Sequence, residues 1–509
     1  MQASNRIIIN TIAQYVRTII NLLLSLYSAR LVLSILGIAD YGIYSLIAGV
    51  VSMLSFFTNS LVGSTQRFLS VSQGKGKLDT LKVVFSNSVF LHVILGIIIL
   101  VVLESLTPFL FSGFLNIPDN RLNVASIVYQ MVIFMVYMSF IAAPYRALLV
   151  SRENIVYTSI VDVLNGVFKV IFVLFLSFVP FDKLAAYGCI MLFISLFDLL
   201  AVAVYGSKKY EECIFPRMKY FSIAYIRELF SFTGWITYST LCIALRTQGF
   251  AVVLNKILGT TVNAAYGIGS QISGMVSFVS TSFTNAIAPQ LMAAEGSGNR
   301  ERMWNLAILQ SKFSFLLMAM VGIPTIFEMN SLLSLWLVEV PPYAVLFGIM
   351  FVAMQIVDML TSGLGLANRA IGNIALYTVI TYTPKLCILP IGWILLKYNQ
   401  PLWVVALIIV MIEIVCMLLR IPLLLGTKGF RATLFIKKVF ICSSLPVVLS
   451  ILCCSCIQQI IDSSFRFLVT FILSILLFLI STYYTSLSQV EKRKVQAIAS
   501  SIKYRLMKK

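Results

Sequence analysis

Apolar runs of about 20 residues recur along this chain from end to end, each long enough to cross a ~30 Å hydrocarbon core. No polar stretch between them is long enough to form a soluble domain. Of 509 residues, 60% are hydrophobic and 11% are charged. Soluble domains carry about 25% charged residues, so this chain cannot cover a soluble surface. In hydrocarbon every backbone N–H and C=O needs an internal partner, and the runs are too long for barrel strands, so they are helices. The expected fold class is therefore an all-α polytopic membrane protein. Its N-terminus reads as the start of the first span rather than as a cleaved signal peptide.

Fourteen spans are predicted, near residues 10–36, 41–69, 82–106, 124–148, 154–179, 184–206, 228–257, 262–292, 305–328, 342–367, 372–396, 402–425, 435–458 and 465–487. Lysine and arginine set their orientation. Twenty-seven of the 38 basic residues fall in the N-terminal segment, the segments 75–82, 146–152, 208–227, 300–312, 369 and 420–438, and the C-terminal tail. The opposite loops and helix ends hold six: Arg30, Arg121, Lys183, Lys256, Lys397 and Arg466. This bias places both termini in the cytoplasm. It also accounts for the formal net charge of +19 without a nucleic-acid partner, because the bases form short clusters between spans.

The chain repeats itself. Leu36-Gly37 after span one matches Leu258-Gly259 after span seven, an offset of 222. The same offset carries Gly74-Lys75-Gly76-Lys77 onto Gly296-Ser297-Gly298-Asn299, Tyr44 onto Tyr266, and Met53-Leu54-Ser55-Phe56 onto Met275-Val276-Ser277-Phe278. Each unit then has six helices, an even number, which makes the two parallel repeats about an axis along the membrane normal. The predicted organisation is a lobe over 1–207, a cytoplasmic linker over 208–224, a second lobe over 225–427, and two extra helices with a basic tail over 428–509.

Span one carries Asn10, Gln14, Arg17, Asn21, Ser25 and Ser28 at steps of three and four, which is one polar stripe on a helix. Span two repeats the pattern with Ser45, Ser52, Ser55, Asn59, Gly63 and Gln66. Spans seven and eight carry Thr233, Thr237, Thr240, Ala244 and Thr247, then Ser270, Ser273, Ser277, Ser280 and Thr284. Small polar residues glue helices together in membranes. A six-member stripe that includes an arginine instead favours a shared wet cavity, lined by Gln14, Asn21, Asn59, Gln66, Thr240 and Ser273. Charges inside the spans are Arg17, Asp162, Lys169, Asp198, Arg246, Asp358, Lys385 and Glu413, with Arg30 and Arg67 nearer helix ends. Each costs several kcal/mol unless it is paired or faces water. Lys385 and Glu413 fall at similar depth in neighbouring spans and read as a structural ion pair. Arg17 has no carboxylate in its own span or the next, and so is expected to face an anionic ligand or a wet cavity.

Several chemistries are missing from the sequence. No G-x-x-x-x-G-K-[ST] loop occurs to bind ATP. No His, Cys or carboxylate cluster has metal spacing, and Cys453 and Cys456 have no second ligand pair. One histidine, His92, offers no nucleophile–base pair. Neither an enzyme nor a bound cofactor is expected.

Fourteen spans built as two parallel six-helix repeats plus a C-terminal pair resemble the superfamily of MATE multidrug exporters, Wzx-type lipid-linked oligosaccharide flippases and MurJ-type lipid II flippases (the MOP superfamily). Two local signatures carry the resemblance. One is Leu36-Gly37-x3-Tyr41-Gly42-x-Tyr44 with Gly63 and Arg67 before a basic turn. The other is Leu258-Gly259-x3-Asn263-Ala264-Ala265-Tyr266-Gly267 with Gln271 and Pro289-Gln290 before Gly298-Asn299. The resemblance implies two lobes around a central cavity, and alternating access between them. Cation exporters of the superfamily keep carboxylates in the first-repeat cavity, whereas span one has none. The Wzx branch therefore fits best: a flippase for polyprenyl-diphosphate-linked oligosaccharide, the repeat unit of O-antigen, lipopolysaccharide or another polysaccharide. In this reading Arg17, Arg30 and Arg246 bind the diphosphate, because arginine's planar fork matches phosphate oxygens. Asp162, Asp198 and Asp358 are the candidates for coupling to H+ or Na+, and a polysaccharide polymerase complex is a candidate partner. A multidrug antiporter or a lipid II flippase of the same fold is the alternative.

The topology makes a direct prediction. With single cysteines at Ser207 and Asn116 in a cysteine-free chain, a membrane-impermeant thiol reagent added to intact cells labels position 116 and leaves 207 unlabelled. The reverse pattern inverts the orientation.

Overall fold

The computed structural model describes residues 3–52, 55–114, 117–214, 218–337, 340–461, 465–489 and 491–493. Met53 and Leu54 of the repeat match, Asn116, Arg217 and the basic tail from Lys494 onward lie outside these residues. The described residues are helical, with no strand among them. Eleven helices are long and apolar enough to cross a membrane. A twelfth span is the pair Ala344–Met359 and Ser362–Ile371, bent by 50°. Ser55–Gly74 and Thr260–Gly296, the helices richest in serine and threonine, complete the fourteen.

The repeat recurs in the backbone. Gly37 (φ 79°, ψ 170°) and Gly259 (φ 85°, ψ −178°) both lie in a region open essentially to glycine alone. The sharp break each makes between two helices therefore occurs at equivalent points of the two repeats. Gly76 and Gly298 form a second such pair, with φ of 71° and 74°.

Packing divides the chain into two compact units whose membership crosses the repeat boundary. Unit one comprises Met1–Leu241 together with Asn285–Asn299 and Arg369–Ile374. Unit two comprises Cys242–Thr284, Arg300–Asn368 and Ala375–Lys509. At the centre of unit one is the helix Leu122–Ser151, packed against Ser55–Gly74, Leu78–Phe109 and Lys183–Lys209. It buries Tyr129 and Phe140 completely, and the Tyr129 hydroxyl donates to the Leu103 carbonyl at 2.8 Å. In unit two Tyr266 is ringed by Phe250, Phe347 and Phe351 at centroid distances of 5.7, 5.3 and 4.8 Å. The last two spans pack on each other and on Arg300–Phe327. There Arg466 meets the buried Glu328 at 3.1 Å.

A polar staple holds the helix ends of unit one. Arg121 bridges Asp40 and Asp182, the latter at 2.5 Å. Asp182 also caps Lys183–Lys209, accepting from the N–H groups of Leu184 and Ala185. Burial opposes ionisation of Asp182, but the Ala185 and Leu184 amides and the Arg121 guanidinium outweigh it and hold its carboxyl below the ordinary range. The stability it contributes is thus fully present above the unfolded carboxylate pKa of about 4 and is lost as pH falls through and below it. Asp182→Ala is expected to cost about 0.5–2 kcal/mol, the usual price of a lost N-cap. Melting of the detergent-purified protein checks this, and the deficit of the variant should shrink between pH 7 and pH 3.

Candidate functional site

Each unit contains a network of ionised side chains in its spans. In unit one, Arg17 Nη1 lies 3.0 Å from Asp162 Oδ2, and Arg146 Nη2 lies 3.0 Å from Asp162 Oδ1. Arg146 also grips Asp198, which accepts from Asn165 Nδ2 at 2.8 Å. Four helices, spans one, four, five and six, are tied together in this way.

In unit two, Glu413 receives Arg246 and Lys385, each at 2.5 Å. Asp358 receives Arg420 at 2.5 Å and Lys385 at 3.8 Å. Arg420 donates further to the Thr361 hydroxyl and the Asp358 carbonyl. Two bases stand where the helix is irregular: Arg246 in a π-helical turn, Leu245–Gly249, and Lys385 in a 3-10 turn, Thr383–Cys387, made by Pro384. Non-helical backbone at membrane depth is tolerated only where protein or water satisfies it, and interrupted spans are where transporter sites concentrate.

The two networks occupy equivalent helices of the repeat: spans one, four, five and six correspond to seven, ten, eleven and twelve. Asp162 and Lys385 differ by 223 in number, and Asp198 and Arg420 by 222. The charge is inverted at these two positions: Asp162 against Lys385, and Asp198 against Arg420. Spans one and seven both supply arginine.

The geometry corrects several expectations. Arg17 and Arg246 are not unpaired, because their carboxylates come from spans five and twelve, far away in sequence. The stripe of span one is largely an interface with the helix Ile155–Phe175. Asn10 donates to the Glu153 carbonyl at 2.9 Å, and Asn21 lies against Gly166, where a Cβ would come within 3.3 Å of its Oδ1. Gln14 and Ser273 are buried rather than lining open space, and Ser273 donates to the Phe351 carbonyl at 3.3 Å. Thr240 bonds back to the Ile236 carbonyl one turn earlier. Of the remaining stripe residues, Asn59 is exposed and Gln66 half-buried; Arg30 is exposed. Asp162, Asp198 and Asp358 are all held in ion pairs. Among the described residues, no three His, Cys, Asp or Glu side chains are placed to hold a metal.

Two network members escaped the sequence reading. Arg146 and Arg420 lie close enough to span ends to count as cytoplasmic bases, yet both point into the helices. The in-span charges read from the sequence are four carboxylates and four bases, so charge balance gave no signal that further bases belonged with them. Lys169 takes on a new meaning. It sits two turns from Asp162 on the same helix, half-buried, with no hydrogen bond or ion pair among the described residues. Gly166 meets Asn21 and Leu24, so Lys169 stands about one turn further along span one, near Ser25 and Ser28. Its position near mid-span leaves a lysine stem too short to snorkel to the surface.

Removing one partner of a buried pair leaves an uncompensated charge, at a cost of about 3–5 kcal/mol. Glu413→Gln is therefore expected to lower thermal stability sharply, since it strands both Arg246 and Lys385. Adding Lys385→Met to it should recover part of the loss. Melting in detergent checks both, and an unchanged melt for Glu413→Gln would remove the network's structural role.

The model of the family described as polysaccharide biosynthesis protein matches residues 4–295, more than half of the chain. The uncharacterised membrane protein EpsK of Bacillus subtilis (strain 168) is 22% identical over 325 residues, which are 61% of this chain and 61% of that relative, less than two thirds of its length. Solved structures share the fold. A MATE protein in complex with MaL6 superposes with a TM-score of 0.65 at 14% identity, covering 82% of this chain and 95% of that one. A MOP superfamily transporter from Pyrococcus furiosus, described by a reverse polarity of its binding pocket, gives 0.66 at 14%, covering 82% and 94%. An outward-facing multidrug resistance MATE transporter gives 0.67 at 14%, again covering 82% and 94%.

Proposed function

The chain belongs to the polysaccharide biosynthesis protein family, a multi-pass membrane protein of MOP superfamily fold, and on that premise we propose that it flips a polyprenyl-diphosphate-linked oligosaccharide from the inner to the outer leaflet of the bacterial cytoplasmic membrane by alternating access. The observation that carries this reading is a positive excess in each unit. Arg17, Arg146 and Lys169 stand against Asp162 and Asp198; Arg246, Lys385 and Arg420 stand against Asp358 and Glu413. A net cation in a low-dielectric span needs an anion or water, and a diphosphate brings about two negative charges.

Lys169 is the leading contact for that anion, since no carboxylate among the described residues lies within ion-pair distance of it. Arg17 and Arg246 keep donors to spare: a guanidinium has five, and Arg246 Nε is buried with no partner among the described residues. Arg30 guides the headgroup from its exposed position near the end of span one. When phosphate draws Arg17 from Asp162, the aspartate becomes a place where H+ or Na+ can compensate, and coupling enters through Asp162, Asp198 and Asp358. The charge also argues against export of organic cations, which need a carboxylate free to receive them.

Complementation of surface-polysaccharide assembly in a flippase-deleted strain tests the reading, with each variant's membrane abundance measured alongside. Lys169→Gln should reduce export by roughly 10- to 150-fold in apparent affinity, the value of one charge-assisted hydrogen bond. Lys169→Arg should retain most of it, and Lys169→Glu should be null. Arg17→Ala and Arg246→Ala should also lose export, with some loss of stability because Asp162 and Glu413 lose a partner. Full export by Lys169→Gln, Arg17→Ala and Arg246→Ala alike would sink the diphosphate reading and return the multidrug exporter to the front.

A further inference from the structure

Two short pieces of the second repeat, Asn285–Asn299 and Arg369–Ile374, pack inside unit one rather than with the rest of their repeat. An arginine of the first repeat holds the second of these pieces. Arg67, 7% exposed, sends Nε to the Arg369 carbonyl at 2.9 Å and Nη2 to those of Ala370 and Ile371 at 3.2 and 3.3 Å. These are the terminal carbonyls of the helix Ser362–Ile371, which have no acceptor role within the helix and carry its negative dipole end. The guanidinium is further flanked by the rings of Phe68 and Phe232, at 4.7 and 4.8 Å. Gly372 completes the fit. Its φ of 102° favours glycine, and a Cβ there would overlap the guanidinium.

Beside this contact the two repeats meet backbone to backbone. A Cβ on Gly74 would overlap the Ala293 carbonyl, and one on Gly296 the Val71 carbonyl. These glycines end equivalent helices of the two repeats. Gln290 adds a hydrogen bond to Glu153 at 3.0 Å. No carboxylate lies within ion-pair distance of Arg67 among the described residues. Arg67 is thus held by helix-end carbonyls and two rings, with Glu228 and Glu295 acting on it only at longer range, rather than by a direct ion pair.

We infer that Arg67 is a releasable latch, which holds 285–299 and 369–374 of the second repeat against the first in one state of the transport cycle and frees them in another. The inference rests on the transporter fold and on these contacts, not on the identity of the cargo. Both ends of the contact lie next to the basic turns, and so on the side that the charge bias assigns to the cytoplasm.

The test uses full-length protein in membranes, in a cysteine-free background, with Lys75→Cys and Ser297→Cys joined by a short bifunctional thiol reagent. Neither position touches Arg67. The pair should crosslink readily in the parent and about 10-fold more slowly with Arg67→Ala, the shift expected from losing one hydrogen bond of a charged group. Gly372→Ala, which displaces the guanidinium from the other side, should slow it comparably, and Arg67→Lys should be intermediate. A control pair, Ser450→Cys with Ser474→Cys, joins the last two spans, whose hydroxyls lie 2.7 Å apart. It should crosslink equally in every variant. Unchanged crosslinking of positions 75 and 297 in Arg67→Ala and Gly372→Ala overturns the latch, and so does a parallel loss at the control pair, which would signify general unfolding. Crosslinking needs no transport assay, so the latch and the flippase reading fail separately.

Discussion

The structure depends first on the cost of placing ionised groups in hydrocarbon. An isolated charge there costs several kcal/mol, and the chain places many such groups in its spans. Each unit answers by drawing four helices together around shared carboxylates. Asp162 receives two arginines, and Glu413 an arginine and a lysine. A carboxylate with two oxygens can serve two bases at once, so these groups act as hubs rather than as members of simple pairs. Moving one helix of a unit therefore breaks contacts to helices it does not adjoin in sequence. That ties the helices of each unit together in the region where the charges lie.

The inversion of sign between the units follows from the same economy. An ion pair is as well satisfied with acid and base exchanged, so a duplicated set of helices can swap signs at two partners and retain the geometry. Asp162 of span five is matched by Lys385 of span eleven and Asp198 of span six by Arg420 of span twelve, while span twelve adds Glu413, an acid with no counterpart in unit one. The exception is the first helix of each repeat, which is basic in both.

Much of this was legible in the sequence. Helix length and the Leu-Gly and Gly-x-Gly offsets report local requirements: a hydrocarbon thickness and a left-handed turn. Gly37 and Gly259 prove to share a backbone conformation that their spacing alone suggested. The polar stripe of span one was equally visible, but its meaning was not. A period of three and four identifies a face and says nothing of what covers it. Arg17 meets a carboxylate 145 residues away, and Arg246 one 167 residues away, so searching each arginine's own and neighbouring spans could not find them. Arg146 was hidden for another reason: near a span end, an arginine bound inward and one bound to water look alike in sequence.

Charge balance by itself does not separate an anion carrier from a cation carrier, because a base and an acid cancel in either. Saturation does. Every carboxylate of the two networks is engaged: Asp162, Asp358 and Glu413 each by two bases, and Asp198 by Arg146 together with Asn165. An organic cation entering either unit would have to displace an arginine or a lysine, leaving that base unpaired in its place. The donors are not saturated in the same way. Arg246 Nε has no acceptor and Lys169 no partner among the described residues. On the proposed reading a phosphate oxygen there would form new charge-assisted hydrogen bonds without breaking old ones. The asymmetry lies in which side of each ion pair has capacity left, and in both units that side is positive.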